Sequence, residues 1–284
     1  MSRLRKVCVI CCLLLLGACS STTFFYNRLD FILPWYLDDY AELNRDQEQY
    51  LDDLLTPFLA WHRAQELPLY LEILDQADSS LDQPMTAADV AAISAQFEAA
   101  WFRVEEKSIA WLLDLGERLT DEQMASFMDE LWEQQRKYED KYLDRSDKEF
   151  RDDSYDSMLD NMQDYLGRLG KNQRQMLRSS SEELIRSDRI WLAERAAWLE
   201  KLGPILQRQP GWQQRIREAI AERNDNASPE YLDTFGHNLQ VIHAVVAEVV
   251  NSRSSKQDRR LRRKLADLRE DLETLIEQGK AASA

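Results

Sequence analysis

Apolar side chains recur along the chain at the spacing of helical faces. Near the C-terminus two stripes step by three or four residues, formed by Leu232, Phe235, Leu239, Ile242, Val246 and Val249, and by Leu261, Leu265, Leu268, Leu272 and Leu275. Upstream, an apolar residue returns at every seventh position, at Leu177, Leu184, Trp191 and Trp198. Such spacing places each set on one side of a helix, and no run shows the strict alternation of a strand. The pattern therefore predicts an all-α protein, a bundle of long amphipathic helices.

Turn-forming residues divide this pattern into segments. Predicted turns lie at residues 78–84, 203–204, 209–211 and 224–229. Thr86, with Asp89 three residues later, has the composition of a helix N-terminus. Pro57 and Pro68 predict segmented helices in the early part of the chain, because proline removes a backbone donor. The charged stretch 138–160 predicts a bend or a solvated break.

A short element with the form Leu-x-x-x-Gln occurs three times, each time before a helical run. The three copies are Leu43–Gln47, Leu119–Gln123 and Leu169–Gln173. In the second copy the Thr120 hydroxyl can accept from the third helical amide while Gln123 reaches back, which is a capping box. In the third copy Gly170 removes that capping side chain. A recurrent helix start explains the element locally.

The N-terminus has the pattern of a secretion signal. Arg3, Arg5 and Lys6 precede an apolar run from Val7 to Leu16, which is shorter than the ~20 residues that a membrane span requires. The run ends in Leu16-Gly17-Ala18-Cys19. That tetrapeptide resembles the lipobox of bacterial lipoproteins, in which the cysteine is acylated and begins the mature chain. A plain signal peptide with an incidental cysteine is the alternative.

The predicted signal peptide covers residues 1–18 and changes the cysteine inventory. It contains Cys8, Cys11 and Cys12, so that Cys19 would be the only cysteine of the mature chain. No disulfide, catalytic thiol or cysteine-based metal site is then expected. Acyl chains on Cys19 imply a membrane partner. Ser20 follows, which by resemblance to Gram-negative lipoproteins implies the periplasmic face of the outer membrane.

Charge and composition exclude several classes of protein. The 284 residues contain 36 Lys and Arg against 51 Asp and Glu, giving a net charge of −15, so a nucleic-acid partner is not expected. Because the chain has only 8 Gly, a glycine-rich phosphate loop is not expected. The three histidines, His62, His237 and His243, lack the spacing of a zinc pair. We predict no metal site, no cofactor and no catalytic residue.

Two segments suggest interactions. Seven basic residues crowd into twelve positions: Arg253, Lys256, Arg259, Arg260, Arg262, Arg263 and Lys264. They could bind an anionic partner such as lipid headgroups, dock onto the protein's own acidic N-terminal half, or simply be solvated; we favour the second and third interpretations over an anionic partner. The aromatic-rich segment Phe24–Tyr40, with Trp35 and Tyr36, could lie at the membrane interface or close one end of the bundle.

Three longer motifs carry a resemblance to a family. Tyr26-Asn27-Arg28-Leu29-Asp30, the segment Pro34–Tyr40 (PWYLDDY) and the segment His62–Tyr70 (HRAQELPLY) resemble a family of uncharacterised Gram-negative lipoproteins, which implies no catalytic residues. The Leu-Thr-x-x-Gln element resembles, over about fifteen residues, the signature of periplasmic chaperones of the Spy and CpxP type.

Together these observations predict three parts. Residues 1–18 form the signal peptide, residues 19–40 the lipid anchor with its aromatic segment, and residues 41–284 one helical domain; two subdomains that part near residue 170 are the alternative. We expect an outer-membrane-anchored periplasmic lipoprotein with a non-enzymatic binding, scaffold or chaperone-like role toward envelope proteins. The alternative is an enzyme that cleaves cell-wall glycan with a Glu as general acid.

Overall fold

The protein is helical throughout the residues that its structure, a computed structural model, describes: 21–223 and 227–282. No strand occurs in these two ranges. The α-helices are α1 (Ser21–Tyr26), α2 (Leu29–Asp38), α3 (Arg45–Trp61), α4 (Leu67–Ser80), α5 (Ala87–Arg118), α6 (Asp121–Tyr142), α7 (Asp147–Leu166), α8 (Lys171–Glu183), α9 (Asp188–Ile205), α10 (Trp212–Ala221), α11 (Pro229–Asn251) and α12 (Ser255–Ala282). A π-helical turn, His62–Glu66, joins α3 directly to α4. The predicted all-α fold is confirmed.

The two longest helices, α5 and α12, organise the packing. Helix α5 packs against α3, α4 and α11, while α12 packs against α1, α4 and α7. The leucine stripe of α12 is confirmed, because Leu261, Leu268, Leu272 and Leu275 are buried and Leu265 packs beside them. None of the described helices combines the length and the apolar character that crossing a bilayer requires.

The stripe predicted for α11 is only partly buried. Leu232 and Phe235 are 48% and 38% exposed, whereas Val241, Val245 and Val249 are buried. The second half of α11 is apolar on several sides, so the sequence allows more than one buried face, and packing against α5 and α8 selects the valine face. The prediction was wrong for the first half of this helix.

Three predicted boundaries also differ. Helix α3 continues through Pro57, and the irregularity comes later, in the wide π-helical turn before Pro68, where the Leu67 amide donates to the His62 carbonyl. Helix α9 runs through Pro204 to Ile205, and the turn falls at Gly211, which has a φ of 82°. The seven-residue repeat spans two helices, because the chain is extended at Leu184.

The Leu-x-x-x-Gln helix starts interlock in space. Gln47 and Gln123 each accept from the backbone amide of their own N-cap residue, at 2.9 Å. Each also donates to the other's Oε1 at 2.8 Å. Gln47 further donates to the Arg118 carbonyl and Gln123 to the Glu42 carbonyl. The N-termini of α3 and α6, 76 residues apart in the chain, are therefore held together by paired side-chain amides.

A second pair repeats this arrangement at the N-termini of α8 and α12. Gln173 accepts from the Gly170 amide and Gln257 from the Ser254 amide, each at 2.9 Å. The two amides bond to each other at 3.0 and 3.3 Å. The start at Gln257 escapes the sequence pattern, since Arg253 stands where the other copies have leucine. The glutamine interaction therefore recurs without the leucine.

Candidate ligand-binding cavity

A cavity of about 410 Å³ lies between α5 and the helices α1, α2, α3, α4, α6, α9 and α10. This volume lies within the range of small-molecule sites, ~300–1,000 Å³. Helix α5 contributes a stripe at helical spacing, which includes Trp101, Val104, Ser108, Leu112 and Leu115. The cavity therefore arises because one side of α5 faces several helices that do not fill the space between them.

Most of the wall is apolar and rich in tryptophan. Trp101, Trp111, Trp198 and Trp212 all line it. Trp212 lies against Gly116 on α5, where an added Cβ would come within 2.8 Å of its ring. A glycine at this position lets the indole pack directly on the helix backbone, so the lining depends on a residue without a side chain.

Four buried polar side-chain atoms of the described residues have no hydrogen-bond partner in the protein. They are Thr22 Oγ1, Trp111 Nε1, Arg195 Nε and Arg223 Nε. All four residues line the cavity. A buried donor or acceptor without a partner costs ~1–3 kcal/mol, and among the described residues this cost is concentrated in the wall of one cavity.

Arg195 on α9 is the most buried cation of this wall, with 2% of its surface exposed. Its guanidinium donates to Gln135 Oε1 at 2.6 Å and to the Leu131 carbonyl at 3.2 Å, and lies 5.4 Å from the centre of the Tyr138 ring. Burial lowers the pKa of Arg195 below its usual range. None of the ion pairs among the described residues includes it. The charge is therefore buried without a counter-ion in contact.

Hydroxyl and amide groups also line the cavity. Gln134 on α6 donates to the Tyr40 hydroxyl at 3.0 Å, and that hydroxyl lies 2.8 Å from the hydroxyl of Tyr36. Gln134 precedes Gln135, the partner of Arg195, in the chain. The polar part of the wall thus extends from α9 across α6 to α2.

His62 forms a second polar group in the wall. Its Nδ1 lies 2.8 Å from the Tyr26 hydroxyl and its Nε2 lies 3.3 Å from the Tyr70 hydroxyl. Burial, with a smaller effect from the neighbouring Arg63 charge, lowers the pKa of His62 to about 4. His62 is therefore neutral near pH 7, and its two ring nitrogens serve to join α1 to α4.

One acidic side chain, Glu105, occurs among the described residues that line the cavity. Both of its carboxylate oxygens accept from Arg223, at 3.0 and 3.1 Å. A buried carboxylate outside the cavity wall, Glu66, is held in the same two-point manner by Arg103 at 2.8 to 3.1 Å. Both glutamates are therefore engaged by guanidinium groups. Among the described residues no group of His, Cys, Asp and Glu could hold a metal ion.

The two aromatic candidates have different surroundings. Trp35 is 66% exposed, whereas Tyr36 is partly buried and lines the cavity. As neighbours in α2 they point in directions about 100° apart, and this helix has no fully buried residue. Phe24 and Phe31 are also exposed, at 52% and 72%. The predicted lipid attachment residue, Cys19, lies outside the described residues.

The predicted basic cluster lies at the start of α12, and only some of its members form ion pairs. Arg262 binds the carboxylates of Asp78 and Asp82 at the end of α4, at 3.1 and 2.8 Å, and also that of Asp258. Arg253 binds Asp258 and the Leu81 carbonyl. The remaining members have different surroundings: Arg260 donates to the Asp164 carbonyl, Lys264 lies near the Tyr165 ring, and Lys256, Arg259 and Arg263 are exposed.

Comparison with known proteins identifies the family. The model of a family of unknown function (DUF6279) matches residues 39–232. The chain belongs to this family. The matched range contains helices α3 to α10 and, with them, Trp111, Arg195 and Arg223, whereas α1 and α2 precede it. No curated protein and no solved structure matches the chain, so DUF6279 membership brings no activity with it.

Of the cavity's polar residues, the sequence indicated Tyr36 alone as a possible interaction residue. Arg195 and Arg223 occur in charged helical segments, where a solvated arginine is the ordinary expectation. His62 stood in a family-like motif without an assigned role. The seven-residue spacing that includes Trp191 and Trp198 predicted a helical face, but no spacing indicates that the face borders a cavity. The cavity depends on how eight helices pack together.

Proposed function

We propose that this protein is an outer-membrane-anchored periplasmic lipoprotein that binds an apolar molecule in its central cavity and does so without catalysis. The single observation that carries the proposal is that all four unpartnered buried polar atoms of the described chain occur on residues lining one tryptophan-rich cavity. A purely structural core satisfies such atoms internally. A mainly apolar cavity with a few polar groups is the ordinary form of a ligand site.

The carboxylates support binding over cleavage of cell-wall glycan. Most glycoside hydrolases use two carboxyl groups on either side of the bond that breaks. In the described part of the cavity the one carboxylate, Glu105, has both oxygens engaged by Arg223. Neither oxygen is presented to a substrate, so the arrangement favours a binding protein.

The N-terminal features support the proposed location. The lipobox-like sequence ending in Cys19 precedes α1 directly. The exposed side chains of Phe24, Phe31 and Trp35 belong to the two helices that follow. Aromatic side chains are favoured at membrane interfaces, so an anchor at Cys19 would hold this surface close to the bilayer.

A chaperone-like role toward envelope proteins is a second candidate. The observation that favours it is the pair formed by Gln47 and Gln123, because Gln123 belongs to the Leu-Thr-x-x-Gln start that resembles the signature of the Spy and CpxP chaperones, and Gln47 to a start with Asn in place of Thr. In this role the exposed aromatic residues of α1 and α2 would contact clients, and the cavity would not be needed.

Filling the cavity tests the principal proposal. Ser108 lines it, whereas Ala110 on the same helix is exposed. We expect Ser108→Phe to weaken binding of the neutral fluorophore N-phenylnaphthylamine to the mature chain carrying Cys19→Ser by tenfold or more, while Ala110→Phe binds as the unaltered chain does. Fluorescence titration measures this, and thermal melting checks that both variants fold.

The results separate the two candidates. Equal binding by the folded Ser108→Phe and Ala110→Phe variants would contradict a ligand site in the cavity. If Ser108→Phe loses the fluorophore, the cavity is the binding site. If the same variant suppresses aggregation of an unfolded client as well as the unaltered chain does, the chaperone-like role operates through another surface.

A further inference from the structure

The buried charge of Arg195 carries information about the ligand. Burying a charge without a contacting group of opposite charge costs much free energy. Removing one member of a buried ion pair is strongly destabilising for the same reason, because it leaves the other charge unpaired. Arg195 is 2% exposed and contacts a neutral amide and a backbone carbonyl. Its Nε is without a partner and the residue lines the cavity. The site thus contains a cation and an unused donor.

The other cation of the wall also has an unpartnered Nε, but it has a counter-ion. Arg223 is paired through two hydrogen bonds with Glu105, so its charge is already neutralised. Glu139 is near enough to attract the Arg195 charge, but it accepts instead from Gln135, at 2.6 Å. The electrostatic imbalance of the cavity is therefore located at Arg195.

We infer that the ligand of the cavity is an anionic amphiphile with a single long apolar chain, whose carboxylate or phosphate group contacts Arg195. This inference rests on the proposed function and specifies its ligand. The apolar chain would lie along the tryptophan-lined wall, and the anionic group would neutralise the charge of the Arg195 guanidinium. Gln134 and the Tyr40 hydroxyl border the same polar end. The volume of about 410 Å³ suits one such molecule and is too small for a folded partner.

Bromine-labelled lipids test the inference, because bromine quenches tryptophan fluorescence on contact and four tryptophans line the cavity. The probes are dibromostearate, dibromo-octadecyl phosphate and the neutral methyl ester of dibromostearate. They are titrated into the mature chain carrying Cys19→Ser, below the concentrations at which each probe aggregates. We expect the unaltered site to bind at least one anionic probe about tenfold more tightly than the ester, the effect of one charge-assisted hydrogen bond.

Variants at Arg195 test whether this residue causes the preference for the anionic probes over the ester. Arg195→Met should bind the anionic probes and the ester alike, with affinity for the ester unchanged, whereas Arg195→Lys should keep a preference for the anion. Arg189→Met, on the exposed side of the same helix, is the matched control and should behave as the unaltered chain. If Arg195→Met fails to fold, the affinities of the unaltered chain and of Arg195→Lys for the anionic probes and for the ester still test whether the site prefers an anion.

The outcomes distinguish the inference from the function on which it rests. Preference for the phosphate or for the carboxylate supports the inference and identifies the head group. Equal affinity of the unaltered chain for acid, phosphate and ester would overturn the anionic ligand while leaving a cavity that binds apolar molecules. A preference that persists in folded Arg195→Met would overturn the role of Arg195. Absence of quenching by all three probes would overturn the proposed function as well.

Discussion

His62 makes folding stability depend on pH through a single buried ring. Its neighbours are the hydroxyls of Tyr26 and Tyr70 and the charge of Arg63. The folded-state pKa is lowered to about 4, below the ~6.5 of an unfolded chain. Between these values the unfolded state binds more protons than the folded state. The stability contributed by neutral His62 is therefore present above pH 6.5 and lost as the pH falls toward 4.

We expect His62→Gln to reduce this acid sensitivity. Between pH 7 and pH 4.5 the free energy of unfolding should fall less in the variant than in the unaltered chain, because glutamine takes up no proton. Urea denaturation at both pH values measures the difference. The matched control is His237→Gln, since His237 is exposed on α11. An equal acid-induced loss in the unaltered chain and in His62→Gln would contradict the assignment.

At the scale of elements, the paired glutamines couple helix ends that are distant in the chain. Gln47→Ala and Gln123→Ala should each lower the free energy of unfolding by ~1–3 kcal/mol, because each leaves the partner amide and a cap amide unsatisfied. The double variant should cost less than the sum of the single changes, since residues in one hydrogen-bond network are coupled. Denaturant unfolding checks this. Gln49→Ala, at an exposed position of α3, should cost little; strictly additive losses would argue against coupling.

The starts and ends of helices could be predicted from sequence where neighbouring residues in the chain determine them. The capping boxes at Thr86 and Thr120 follow from a side chain and an amide three residues apart, and the break after Tyr142 follows a densely charged stretch. The π-helical turn at His62–Glu66 and the valine face of α11 depend on neighbouring helices, so periodicity alone placed a boundary and a face wrongly. The Arg195 site was unpredictable for the same reason, because its burial comes from the contact of α9 with α6.

At the scale of the whole molecule, the proposed anchor at Cys19 would hold the protein and its cavity at the outer membrane. If Cys19 carries the acyl chains, Cys19→Ser should remove the protein from the outer-membrane fraction, leaving a soluble periplasmic form or an uncleaved precursor. Cys12→Ser, inside the predicted signal peptide, is the control and should leave fractionation unchanged. Membrane fractionation followed by immunodetection provides the measurement. Recovery of Cys19→Ser with the outer membrane at the normal level would rule out this anchor.

The two glutamine pairs also define the topology of the chain as two consecutive closed loops. One pair closes the loop from Gln47 to Gln123 and the other closes the loop from Gln173 to Gln257, over 76 and 84 residues. The entropy of closing a loop grows only with the logarithm of its length, so the two closures cost nearly the same. Neither loop contains the other, and each can close before the other forms. The order in which the halves fold is thus decided by helix packing, such as that of α11 on α5, and not by the length of chain between the pairs.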